Sequence, residues 1–141
     1  MFIRNTMLWL AGNEAVKRMV MRSRLSLALA HRFVAGETAE QALEAARTLN
    51  HRGALVSLDY LGENITTETE ARAVATTYRD LLRAIAERQL NCNVSLKLTA
   101  LGLDIDRELC AQNMRDVLDT ARETSNFVRI DMEGSAYTQV T

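Results

Sequence analysis

Proline is absent from this 141-residue chain, against an average usage of about 5%. Turns must be made without it, and Gly36, Gly53, Gly62, Gly102 and Gly134 are the residues expected to make them. Cysteine is scarce. Cys92 and Cys110 form no CxxC pair and no Cys/His cluster, so the pattern offers no metal site. The two histidines, His31 and His51, each adjoin an arginine and read as surface or helix-end residues. No run approaches the roughly 20 uninterrupted apolar residues of a membrane span. The opening segment, Met1 to Ala11, is too short and interrupted for a signal peptide, so a cytoplasmic location is expected. No GxGxxG follows a strand, no P-loop occurs, and no GxSxG or Ser/His/Asp pattern is visible. Neither charge sign dominates: 17 basic and 18 acidic residues leave a net charge of −1. That balance argues against nucleic-acid binding. The mild basic cluster Lys17, Arg18, Arg22 and Arg24 reads as a solvated face.

What is present is an ordinary soluble composition, 48% hydrophobic and 25% charged, in a length sufficient for one domain with a core. Residues 1–36 read as a helical arm, with apolar surface from Met19, Leu25, Leu27, Leu29, Phe33 and Val34. Thr38-Ala39-Glu40-Gln41 has the form of a capping box, and Ala39, Ala42, Leu43, Ala46 and Leu49 follow helical spacing. Residues 54–60 predict a strand that is mostly apolar on both faces. Thr67-Glu68-Thr69-Glu70 is a second capping box. Ala71, Val74, Tyr78, Leu81, Leu82 and Ile85 form the stripe of a long helix. Residues 93–99 predict a second strand. Asp104 or Asp106 can cap a third helix with an apolar face of Leu109, Cys110, Met114, Val117, Leu118 and Ala121. Residues 127–132 predict a third strand. Alternation of this kind implies an α/β fold with parallel strands.

In such sheets, chemistry gathers at the carboxyl ends of the strands. Each predicted strand ends near a charged residue: Asp59, Lys97 and Asp131. Each is followed by a glycine-containing loop. Lys97 and Asp131 fall at matching places in successive strands, about one β-α unit apart. A charge inside a strand is expensive unless it is paired or used. Two readings follow from the pattern. One is a structural Lys97–Asp131 ion pair. The other is a site in which Lys97 binds an anionic substrate group and Asp131 handles a cationic or proton-bearing one. Asp59 reads equally as a turn cap, and Glu63 as a solvated loop residue.

Three segments together carry a resemblance: Ser57-Leu58-Asp59-Tyr60-Leu61-Gly62-Glu63, Val94-Ser95-Leu96-Lys97-Leu98-Thr99-Ala100-Leu101-Gly102, and Phe127-Val128-Arg129-Ile130-Asp131-Met132-Glu133. In order and spacing they resemble successive strand motifs of the proline dehydrogenase family. The lead-in Arg32-Phe33-Val34-Ala35-Gly36-Glu37-Thr38 is similar to its small monofunctional bacterial branch. The resemblance implies a distorted (β/α)8 TIM-type barrel that uses FAD to oxidise L-proline to 1-pyrroline-5-carboxylate. Electrons pass on to a membrane quinone, which implies peripheral contact with the inner membrane. By resemblance, Lys97 contacts the substrate carboxylate and lies near the flavin. Asp131 sits close to the proline amine, and Met132 touches FAD. Glu63 matches a gate residue that pairs with an arginine, and Asp59 a first-strand aspartate lining the pocket. Gly134 stands where many relatives carry an acidic residue.

A (β/α)8 barrel takes about 250 residues. The expectation is therefore an incomplete barrel: the helical arm 1–36, then a partial domain over 37–141. It is an N-terminal portion, inactive alone, that self-associates or is complemented by a C-terminal fragment. The competing readings are a non-catalytic α/β binding or assembly module and a complete small α/β enzyme.

Overall fold

The computed structural model describes residues 35–36, 38–61 and 65–141. The chain divides into two compact units, Met1–Gln41 and Ala42–Thr141, and the sheet belongs to the second. The arm expected over 1–36 lies outside the described residues except at 35 and 36, and so do Gly62, Glu63 and Asn64.

The elements run α1 (Ala39–His51), β1 (Val56–Asp59), α2 (Glu68–Glu87), β2 (Cys92–Leu96), a 3-10 turn (Thr99–Leu101), α3 (Arg107–Glu123) and β3 (Val128–Ile130). The strands form one parallel sheet in the order β1-β2-β3. Val56 pairs with Cys92 and Leu58 with Val94. Val94 in turn pairs with Val128 and Leu96 with Ile130. Asn50, near the end of α1, clamps the amino edge. Its side chain donates to the carbonyls of Ala54 (2.9 Å) and Asn91 (3.0 Å) and accepts the Asn91 N–H (2.8 Å).

The helices follow their sequence signals closely. Thr38 Oγ1 accepts the Gln41 N–H (3.3 Å) at the start of α1, and Leu43 and Ala46 turn inward. His51 is exposed in the last turn of α1. The whole expected stripe of α2 is buried, with Tyr78 and Leu82 fully so. It shares one core with Leu58, Val94 and Leu96 of the sheet and with Val117 and Ala121 of α3. Each such side chain contributes roughly 1.5–3 kcal/mol by leaving water. Asp106, not Asp104, caps α3 by accepting the Leu109 N–H (2.8 Å). The buried face of α3 departs from expectation. Leu118 is exposed, while Asn113 and Thr120 are buried. Asn113 can sit inside because its Nδ2 donates to the Leu101 carbonyl at 3.0 Å, which satisfies a buried polar group.

Turn chemistry departs too. Gly53 and Gly102 have positive φ, as expected of turn glycines, but so do Gln89 (53°) and Ser125 (52°). These two residues follow the caps of α2 and α3, where a left-handed residue is needed to leave the helix. With few glycines and no proline, polar residues take that conformation.

The capping box of α2 is complete. Thr67 Oγ1 accepts the Glu70 N–H, and the Glu70 carboxylate accepts the N–H groups of Thr66 (3.0 Å) and Thr67 (2.9 Å). The Thr66 backbone bond, then those to Thr67, hold the Glu70 carboxyl below its ordinary value of 4.5. A carboxyl lowered on folding stabilises fully above its unfolded value, and that stabilisation is lost as pH falls through the folded one. The native chain is therefore expected to lose more stability than Glu70→Gln on acidification below about 4.5. Urea unfolding at a series of pH values reads this; parallel pH curves for the two proteins would contradict it.

Candidate active site

The site follows from alternation along the strands. In a strand, successive side chains point to opposite faces. Val56, Leu58, Cys92, Val94, Leu96 and Val128 join the core beneath α2 and α3. The intervening residues Ser57, Asp59, Asn93, Ser95 and Arg129 take the other face. Ser57 Oγ donates to Asn93 Oδ1 across the sheet at 2.8 Å. The expectation of strand 54–60 as apolar on both faces is thus corrected. The helices cover one face, and the other is polar, because the period of two separates Ser57 and Asp59 from Leu58.

At the carboxyl edge this polar face becomes charged. The strands end sooner than expected, so Lys97 and Asp131 are the first residues past β2 and β3, while Asp59 closes β1. The Lys97 Nζ lies 3.4 Å from Asp59 Oδ2 and 3.6 Å from Asp131 Oδ2. Side-chain exposures of 42%, 30% and 37% for Lys97, Asp59 and Asp131 correct the premise of buried charges. These groups sit at the rim of the sheet in partial contact with water. Partial burial works against the Lys97 charge, but the two carboxylates, Asp59 foremost, outweigh it and hold the ammonium above its ordinary range.

Each carboxylate is held from behind. Tyr78 OH donates to Asp59 Oδ1 at 3.1 Å and accepts the Tyr60 N–H at 3.2 Å. Ser95 Oγ donates to Asp131 Oδ1 at 2.5 Å, and the Asp131 N–H bonds the Leu96 carbonyl at 2.9 Å. Burial, together with the nearby Asp59 charge, raises the Tyr78 hydroxyl well above its ordinary value. That phenol stays protonated and remains a donor.

Two further carboxylates tie the loops together. Glu133 accepts from the Thr99 hydroxyl (2.6 Å) and the Thr99 N–H (3.3 Å). Asp104 accepts from Tyr137 OH at 2.9 Å, a bond that also raises the Tyr137 phenol. Asp59, Lys97, Asp104, Glu133 and Tyr137 line an open cavity of about 360 Å3, in which Lys97 is the sole cation of the lining among the described residues.

The structure therefore brings together three of the sequence-derived residues, Asp59, Lys97 and Asp131. Asp131 joins the cluster through Lys97 and Ser95 but does not line the cavity, and neither does Met132, which is 62% exposed. Glu63 lies outside the described residues. Sequence reasoning missed Tyr78, Ser95, Asp104 and Glu133 as site residues. Ser95 carried a signal, since Asn93, Ser95 and Lys97 alternate with Val94, Leu96 and Leu98. Tyr78 carried none, being indistinguishable from its core neighbours. Among the described residues, no three His, Cys, Asp or Glu side chains gather as a metal-binding set, and no helix is long and apolar enough to cross a membrane.

The fold and the cluster define a β/α protein whose candidate site lies where parallel sheets carry their chemistry, at the carboxyl ends of the strands. Comparison with known proteins gives the family. The sequence model of the family "Proline dehydrogenase" matches residues 42–141. Proline dehydrogenase 1 of Bacillus subtilis (strain 168) is 38% identical over 139 residues, 99% of this chain and 46% of that protein. Proline dehydrogenase 2 of the same organism is 34% identical over 141 residues, 100% of this chain and 46% of that protein. Proline dehydrogenase of Deinococcus radiodurans is 34% identical over 116 residues, 80% of this chain and 37% of that protein. The chain belongs to the proline dehydrogenase family. It spans about half the length of the curated relatives it matches.

Proposed function

We propose that this chain forms one wall of the active site of an FAD-dependent oxidoreductase that converts L-proline to 1-pyrroline-5-carboxylate. The observation that carries this is the Lys97 ammonium held between Asp59 and Asp131 at the carboxyl edge of the sheet, in a chain of this family. An ammonium has three donors. Two face Asp59 and Asp131, which leaves one for a substrate carboxylate. Each carboxylate oxygen of Asp131 has a second lone pair, so Asp131 can accept from a substrate amine while holding Lys97 and Ser95. Asp59 completes the anionic side of the cavity. Glu63 takes the gate role that the family resemblance gives it.

The chemistry of the lining also bears on the cofactor. Three carboxylates in the cavity suit an amine and disfavour a pyrophosphate, so the nucleotide end of FAD belongs to residues outside this lining. Bound FAD supplies the hydride acceptor for the C5–H of proline. Lys97 would supply a positive charge that favours the reduced flavin, and Met132 would supply an apolar contact. A membrane quinone would be the final electron acceptor, with no described residue assigned to it.

Three strands and the two helices between them do not close a barrel. Leu118, Ile130 and Met132 are exposed, and β1 and β3 are the outer strands of the sheet among the described residues. The chain alone is expected to be inactive and to self-associate, and to gain activity when completed by the remaining barrel units. The non-catalytic assembly module gains no support from the family match. Purifying the 141-residue chain with FAD and L-proline tests the reading, alongside a chimera carrying the portion of a Bacillus relative that this chain does not cover. The chain alone should bind no stoichiometric flavin, and the chimera should bind it and reduce a dye with proline. A yellow, proline-reducing isolated chain would overturn the inactivity claim, and a chimera that folds, binds flavin and ignores proline would overturn the activity.

A further inference from the structure

Two residues outside the expected site act on it through the carboxylates. Tyr78 comes from the middle of α2 and is fully buried, yet its hydroxyl reaches the end of β1. There it donates to Asp59 Oδ1 (3.1 Å) and bonds the Tyr60 N–H (3.2 Å). Its ring also packs edge-on against Tyr60, with centroids 6.3 Å apart. Ser95 is 6% exposed and donates to Asp131 Oδ1. The pattern is the same on both sides. One oxygen of each carboxylate, Oδ1, is tied to a buried hydroxyl. The other, Oδ2, faces Lys97.

We propose that Tyr78 and Ser95 are positioning residues that fix the rotation of Asp59 and Asp131, so that both direct an oxygen at Lys97 and hold its ammonium in place. The chain of contacts runs Tyr78–Asp59–Lys97–Asp131–Ser95, with a buried hydroxyl at each end. Exposed ion pairs are weak partly because two side chains must be held in one geometry. Here the carboxylates are held in advance by groups that do not exchange with water, so less freedom is lost when Lys97 pairs. The charged groups around the ammonium are Asp59 from β1 and Asp131 after β3, with Asp104 and Glu133 further along the cavity wall. The consequence for turnover rests on the proposed function, but the positioning itself does not.

The chain offers a clean readout, because Lys17 and Lys97 are its two lysines. Selective 15N-lysine labelling of the 141-residue chain gives two ammonium signals, and Lys97→Arg identifies which is Lys97. In Tyr78→Phe and in Ser95→Ala the Lys97 ammonium should lose order. Its titration midpoint should move down toward the ordinary 10.5. The double variant should move it further, and Asp59→Asn serves as the reference for loss of one carboxylate. The Lys17 signal should not respond. Circular dichroism establishes that each variant folds, and Ser95→Ala keeps the test open should Tyr78→Phe unfold. Folded variants in which Asp59→Asn shifts Lys97 while neither hydroxyl deletion does would overturn the proposal. The readout requires neither flavin nor proline, so its failure is distinct from failure of the proposed reaction.

Discussion

Asp131→Ala is expected to lower proline turnover of the completed chimera by about 10²–10⁴-fold, the range for removing a positioned proton-handling group. Two losses combine. On the proposed function, the substrate amine loses its acceptor. Lys97 also loses one of the two carboxylates that hold it, so the ammonium is less well aimed at the substrate carboxylate. Stability should change far less. The Lys97–Asp131 pair is about two-fifths exposed on the lysine side, and such pairs are worth about 0.2–1 kcal/mol. Asp131→Asn separates charge from shape: it retains a side-chain oxygen to accept from Ser95 and loses the negative charge. It should fold as the native protein does and lose most of the same turnover. Steady-state dye reduction and thermal melting read the two effects. Turnover of Asp131→Ala within about tenfold of native would remove Asp131 from the chemistry.

Tyr78→Ala is expected to cost about 3–5 kcal/mol, the range for deleting a buried aromatic ring. The ring is fully buried in the core that joins α2, α3 and the sheet. A domain of this size has only about 5–15 kcal/mol to lose. Tyr78→Phe keeps the ring and removes one hydroxyl, so it should lose roughly 0.5–1.5 kcal/mol. The contrast separates the two roles of one residue: the ring supports the fold, and the hydroxyl supports Asp59. Urea unfolding of the 141-residue chain measures both. A cost below about 1 kcal/mol for Tyr78→Ala would mean that the ring is not the packing centre described.

Much of the fold was legible because helix signals are local. The Thr67 capping box and the α2 stripe from Ala71 to Ile85 appear as read, since side-chain spacing and cap chemistry need no tertiary information. What failed depended on neighbours. Leu118 has the right spacing for the core of α3 but is left exposed, while Asn113 is accepted inside by the Leu101 carbonyl. Gln89 and Ser125 also turn the chain, beyond the glycines expected to do so, because a helix exit needs a conformation, not a residue type. At the site, Lys97 and Asp131 were legible as charges that interrupt apolar runs. The pairing of Lys97 with Asp59 was not, because it depends on the sheet register and on where β2 stops. Tyr78 was invisible as a site residue. Its spacing belongs to the core, and only its hydroxyl belongs to the cluster.

The central claim is that the Lys97 cluster is the substrate-binding wall of a proline-oxidising flavoenzyme. Anaerobic mixing of the flavin-loaded chimera with L-proline, followed by flavin absorbance, tests it most directly. The native chimera should bleach with L-proline. Lys97→Met should bind flavin and bleach at least about tenfold more slowly, since a charged hydrogen bond to the substrate carboxylate is worth about 1.5–3 kcal/mol. Bleaching by proline at an undiminished rate in folded Lys97→Met would contradict the account.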